Sequence, residues 1–214
     1  MQSGRVSDVG RALEQIAEIH GHLAKNEVYR GWRSIPVALS GAIGFAAAAY
    51  QSARPQPIEP VSFATFWLIV GSAAMLVGCS EILWHYARHA TPAERWRSRH
   101  VIGQFLPALV AGALVTIALL RLSPALATLL PGLWALLFGV GIFAARPYLP
   151  RASGVIASFY WAAGLTLLWT CRDVAALSPW MVGAPFGVGQ CLSAGVLYWN
   201  LERTERGTDG WKKD

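Results

Sequence analysis

Apolar residues fall into six long blocks, separated by short polar or basic breaks. The clearest case is residues 107–141, PALVAGALVTIALLRLSPALATLLPGLWALLFGVG, where two apolar runs flank a turn at Arg121-Leu122-Ser123. Each run is about 20 residues, roughly what ~30 Å of hydrocarbon requires at ~1.5 Å rise per residue. A transmembrane helical hairpin is predicted here. The same reading places spans at 32–50, 61–84, 101–120, 124–145, 154–170 and 179–201, so that 32–203 forms one six-span domain. The fold class expected is all-α, a polytopic membrane bundle. A helix at 1–31 precedes it and a basic polar tail at 204–214 follows it.

Local signals sharpen several boundaries. Thr91-Pro-Ala-Glu94 has the form of a capping box with proline at the first helical position, so a new helix should begin there and run through Arg95, Arg97 and Arg99 into the third span. The second span has no stop signal before His89 and should leave the bilayer as one continuous helix. Ser123-Pro124 and Ser178-Pro179 open the fourth and sixth spans, and Pro131-Gly132 should bend the fourth. Certain offsets recur. Pro60 follows Pro36, and Pro131 follows Pro107, at the same 24-residue interval, while Phe138-Gly-Val-Gly141 returns as Phe186-Gly-Val-Gly189. Three repeated helical hairpins would account for both.

Small residues mark expected helix contacts. Ser40 and Gly44 make a small-xxx-small step in the first span, and Gly183, Gly187 and Gly195 make a stripe along the sixth. In lipid such residues let backbones approach one another. Trp161, near mid-span, is expected to pack rather than to anchor at an interface.

Composition supports the membrane class: 54% of residues are hydrophobic and 14% charged. The net charge of +6 comes from basic residues spread over helix ends rather than from one patch, so nucleic acid is not an expected partner. Fifteen of the eighteen basic residues fall on the side shared by both termini, leaving only Arg54, Arg121 and Arg172 opposite. The positive-inside rule then predicts cytosolic N- and C-termini in a plasma membrane. Arginine outnumbers lysine fifteen to three, a loose association with a GC-rich bacterial genome and hence with a bacterial inner membrane. Cys79, Cys171 and Cys191 show no CxxC spacing, so no disulfide framework or zinc knuckle is expected. The first 30 residues contain no apolar core of a cleavable signal.

Residues 7–26 have helical periodicity, with a narrow apolar seam at Val9, Leu13, Ile16 and Leu23. Four basic and four acidic residues cancel over 1–30, whereas a helix adsorbed to anionic lipid carries a basic face. This segment is expected to pack on protein through Leu13, Ile16 and Leu23: on the molecule's own cytosolic surface, on a second copy of the chain or on another protein partner.

Candidate chemistry lies at the predicted cytosolic mouth. Glu81, His85 and His89 are spaced four apart on one helix face, and i, i+4 is a workable ligand spacing for Zn or Fe. Glu81 and His89, ~12 Å apart along the helix, could not both bind one ion, so the ligand pair would be His85 with His89. His20, His22 and Glu18 form a second set. Within the spans no charge sits at mid-depth, which argues against proton- or sodium-coupled transport. The absence of a histidine inside any span argues against a bis-imidazole haem. Gln190 is the polar side chain expected to face a cavity or to bond across helices. No catalytic residue and no resident cofactor are expected. The leading functional expectation is a sensor, regulatory or assembly component that acts through interaction. A channel or facilitator for a small neutral or apolar solute comes second and a metal-dependent membrane enzyme third.

Overall fold

The computed structural model describes residues 34–54, 58–88, 92–170 and 177–199, with only the helical backbone described at 81–88, 92–94 and 97. Among the described residues there is no strand. Within them six long helices follow one another: α1 Ser34–Ser52, α2 Pro60–Arg88, α3 Pro92–Leu122, α4 Leu130–Ala145, α5 Ser153–Thr170 and α6 Trp180–Leu197. Among the described residues five segments are long and apolar enough to cross a membrane, with mean hydropathy from 1.2 to 2.1: those of α1, α2, α3 and α6, and residues 124–148, which contain α4. The chain is thus an all-α polytopic protein. The expected N-terminal helix, His89, Thr91, Cys171 and the tail at 204–214 lie outside the described residues.

The breaks between helices follow from their chemistry. Proline at the first position of α2 has no N–H to satisfy. The Glu59 carboxylate beside it accepts the backbone N–H groups of Val61 and Ser62, at 3.0 and 2.6 Å. A carboxylate there also complements the positive end of the helix dipole. Helix α3 begins at Pro92, where the capping-box spacing placed it, and carries Pro107 inside.

The fourth span is not one helix. Pro124–Leu129 is a 3-10 helix, and the α-helix proper begins at Leu130. Pro131 lies at its start, where a missing N–H costs nothing. The serine–proline steps do not act through serine side-chain caps: Ser123 makes none, and the residue that caps α6 is Pro179. Ser123 is extended (φ −162°, ψ 128°) without a cap hydrogen bond, and Ser178 accepts the Met181 N–H through its backbone carbonyl.

Sequential neighbours run antiparallel, and the contact between α1 and α6 closes the set. Gly41 and Gly44 of α1 lie against Gly187 of α6, and Gly183 of α6 lies against Ala48 and Gly44. Helices α4 and α5 meet as closely: a Cβ at Gly164 would lie 2.7 Å from the Gly132 carbonyl, and one at Gly132 would lie 2.8 Å from that of Gly164. In lipid such pairs gain by dispersion and close backbone approach, since hydrocarbon outside is as apolar as the helix itself. The least buried spans are α2 and α3, each 17% buried against 50% for the fourth. They meet where Ala64, Ala127 and Leu130 cluster with Leu119 and Leu120.

Outward faces are apolar; Val155 is 73% exposed, Ile69 65% and Leu114 62%. In water such a surface would aggregate, whereas a bilayer solvates it. The prolines behind the expected hairpin repeat occupy unlike places, Pro36 in the first turn of α1 and Pro107 near the middle of α3.

One polar link joins α3 to α4. Thr116, 1% exposed, donates to the Gly112 carbonyl at 2.7 Å and accepts the Trp134 indole N–H at 2.9 Å. Thr116→Val should destabilise the bundle by about 0.6–1.7 kcal/mol, the range of interhelical hydrogen bonds in lipid. Unfolding in mixed micelles, run as a double-mutant cycle with Trp134→Phe, measures it; additive effects would show that the bond contributes nothing.

Candidate functional site

The interior between α3, α4, α5 and α6 is filled by aromatic rings. Tyr160 of α5 is fully buried. Its ring centroid lies 4.9 Å from that of Phe138, 5.4 Å from Phe186 and 5.5 Å from Phe159, and Phe105 meets Phe138 edge-on at 5.1 Å. Tilted and edge-to-face arrangements at such distances match the quadrupoles of the rings.

Glycines make room for these rings. A Cβ at Gly189 would lie 2.3 Å from Tyr160 Cζ, one at Gly139 2.6 Å from Trp161, one at Gly141 2.7 Å from Phe105, and one at Gly187 2.6 Å from Phe45. These four glycines are the paired glycines of the two Phe-Gly-Val-Gly motifs, and the motif phenylalanines Phe138 and Phe186 meet each other edge-on at 5.2 Å. The recurrence that pointed to a repeated hairpin therefore has a direct packing meaning. Each motif offers one ring and two seats for rings from neighbouring helices. The identity of the rings that fill the seats was not visible in the sequence.

Of the expected small-residue stripe, Gly183 and Gly187 pack on α1. Gly195 does not: a Cβ there would meet nothing within 4 Å. Position 195 is eight residues beyond Gly187 and so about 80° further round the helix, while the contact with α1 continues through Ala194 and Leu197 against Val37. Ser40 and Gly44 also separate, Ser40 lying against Gly78 of α2 and Gly44 against α6. Gln190 is half-buried, with its Cβ 3.0 Å from where a Cβ of Gly41 would stand.

Trp161 packs as expected, over Gly139 and 5.3 Å from the Phe143 ring. Trp67 and Trp134 are packing residues too. Trp67 is 5% exposed in a cluster with Ala48, Phe63 and Val182, while Trp134 holds Thr116.

Glu81 and His85 lie one turn apart on α2, on helical backbone, so their i, i+4 register stands. His89 lies outside the described residues. Among the described residues no group of three His, Cys, Asp or Glu side chains is placed to hold a metal. His100, at the other arm of the connector, donates from Nδ1 to the Trp96 carbonyl at 2.8 Å, and its ring lies tilted against that of Trp96 with centroids 3.9 Å apart. Cys79 is half-buried and Cys191 exposed, both as free thiols.

These features define an all-α polytopic membrane protein whose interior is occupied by rings seated on glycines. Comparison with protein families, with curated proteins and with solved structures finds no match for the chain.

Proposed function

We infer that this is a six-span protein of a plasma membrane, of bacterial inner-membrane type, with both termini cytosolic, and that it acts by interaction as a sensor, regulatory or assembly component. The observation that carries this inference is the filled interior. Rings from α3, α4, α5 and α6 touch one another at 4.9–5.4 Å, and Gly183, Gly187 and Gly189 of α6 are taken up by α1 and by aromatic rings. Surfaces left for recognition are therefore the helix ends, the connector and the terminal segments. The basic asymmetry of the sequence supports the orientation. A metal on His85 and His89, beside Glu81, is the third reading and rests on spacing alone.

Residues 1–31 are the proposed docking element. A protein surface satisfies both an apolar seam and balanced charges, whereas a lipid surface satisfies only the seam. Deleting residues 1–26, or pairing Leu13→Asp with Ile16→Asp, should leave membrane insertion intact and abolish co-purification of a partner or of the oligomer. If the shortened protein fails to accumulate, that segment belongs to the bundle's own fold and the docking reading is wrong.

A further inference from the structure

Where α4 ends and α5 begins, a cation is held against an exposed aromatic face. Arg146, at the C-cap of α4, lies with its guanidinium 5.8 Å from the centre of the Phe143 ring. Its Nε and Cζ are 3.3 and 3.5 Å from where a Cβ of Gly154 would stand, so the side chain is laid across the first turn of α5. Arg146 and Arg151 are both exposed. Phe143 is 47% exposed and Val140 48%, one helical step apart, with the Trp161 ring 5.3 Å from Phe143. The result is an apolar strip on the outer face of the bundle, topped by a guanidinium at the end of the apolar span. No aspartate or glutamate occurs anywhere between Arg95 and Arg172.

The helix dipole accounts for one cation at the end of α4. It does not account for Arg151, for the glycine that gives the Arg146 side chain its bed, or for a long stretch of sequence with arginines and no carboxylate. Arginine presents a planar fork that matches a phosphate in two-point contact. A cation stacked on an aromatic face is also held in place before its ligand arrives.

We propose that the α4–α5 junction binds the head-group phosphate of an anionic phospholipid, held by Arg146 and Arg151, with an acyl chain lying along Phe143 and Val140. The site rests on the membrane reading of the chain and is independent of the docking role of residues 1–31. The occupant is a lipid rather than a free anion because the cationic end is continuous with a strip that only hydrocarbon covers favourably. It differs from the general attraction of basic loops to a membrane in requiring particular residues.

Native mass spectrometry of the full-length protein in detergent tests this, with phosphatidylglycerol, phosphatidylcholine and inorganic phosphate each titrated in turn. Phosphatidylglycerol should bind, phosphatidylcholine should bind at least tenfold more weakly, and millimolar inorganic phosphate should not displace the lipid. Arg146→Gln with Arg151→Gln should weaken phosphatidylglycerol roughly thirtyfold. Arg146→Lys with Arg151→Lys keeps the charge but not the fork, so it should give an intermediate loss; it also serves as the readout should the glutamine pair fail to accumulate. Equal binding of both lipids, full displacement by phosphate, or unchanged binding in the lysine pair would overturn the site. Deletion of residues 1–26 should leave phosphatidylglycerol binding unchanged, which separates this site from the partner-docking element.

Discussion

Gly183→Ala should lower the stability of the bundle by about 1–3 kcal/mol, the usual cost of forcing an extra methyl into a packed core, while Gly195→Ala should leave it unchanged. At position 183 the new methyl would lie 2.4 Å from the Ala48 Cβ and 2.9 Å from the Gly44 carbonyl oxygen. Neither neighbour has a rotamer through which to withdraw, so the helices themselves must separate. Separation forfeits the close approach on which association in lipid depends. Gly187 is more forgiving at the alanine level, because its neighbour is the Phe45 ring, which can turn. Leucine at either position should prevent accumulation of folded protein. Position 195 is the control, with nothing within 4 Å. Thermal unfolding in one detergent, with all variants compared side by side, gives the ordering. A Gly183→Ala protein as stable as its parent would mean that α1 and α6 do not meet at this face.

Tyr160→Ala should be the most damaging substitution in the aromatic core, at about 3–5 kcal/mol, the typical cost of removing a fully buried ring. Four neighbours would face the vacated volume: Phe138, Phe159, Phe186 and the bare backbone of Gly189. Because that glycine has no side chain, it has nothing with which to fill the gap. Tyr160→Phe should cost little, about 0.5 kcal/mol, because the hydroxyl reaches the Phe186 carbonyl only at 3.5 Å, the outer limit of a hydrogen bond. A large penalty for phenylalanine, measured by the same unfolding assay, would assign the hydroxyl a greater role than its geometry supports.

The helices and their order could be read from the sequence because lipid imposes length and apolarity on each span directly. The start of α3 well before its apolar run was readable too, since proline after a capping residue marks a helix start whatever surrounds it. What periodicity did not supply was which face of each helix meets which neighbour. An apolar residue gains nothing by turning inward from hydrocarbon, so the contrast that exposes the core of a soluble protein is missing. Trp67 and Trp134 illustrate this. Both lie in apolar runs, and nothing in their spacing marks that one is buried in a cluster and the other holds Thr116.

Glycine spacing carried more information, though only part of it. It found Gly183 and Gly187, wrongly added Gly195, and overlooked Gly41, Gly132 and Gly164, whose partners are backbone carbonyls on other helices. The recurring Phe-Gly-Val-Gly was noticed as a repeat when its structural meaning was a pair of seats for rings. Such a pairing joins residues far apart in the chain, and spacing within one helix does not encode it.

Closure of the bundle through α1 and α6 has a consequence for synthesis. Helix α1 finds its closest partner in α6, so the Gly41 and Gly44 face stays open until the four helices between them have been made. Helices α4 and α5, neighbours in sequence, join as soon as both are inserted, and their pairing requires nothing that follows. A chain halted before α6 therefore holds a finished central pair and an unclosed edge, the kind of incompletely docked intermediate that quality-control proteases recognise. Assembly is set by the final residues of the bundle, and the time available for its errors is the time taken to translate everything between the two partners.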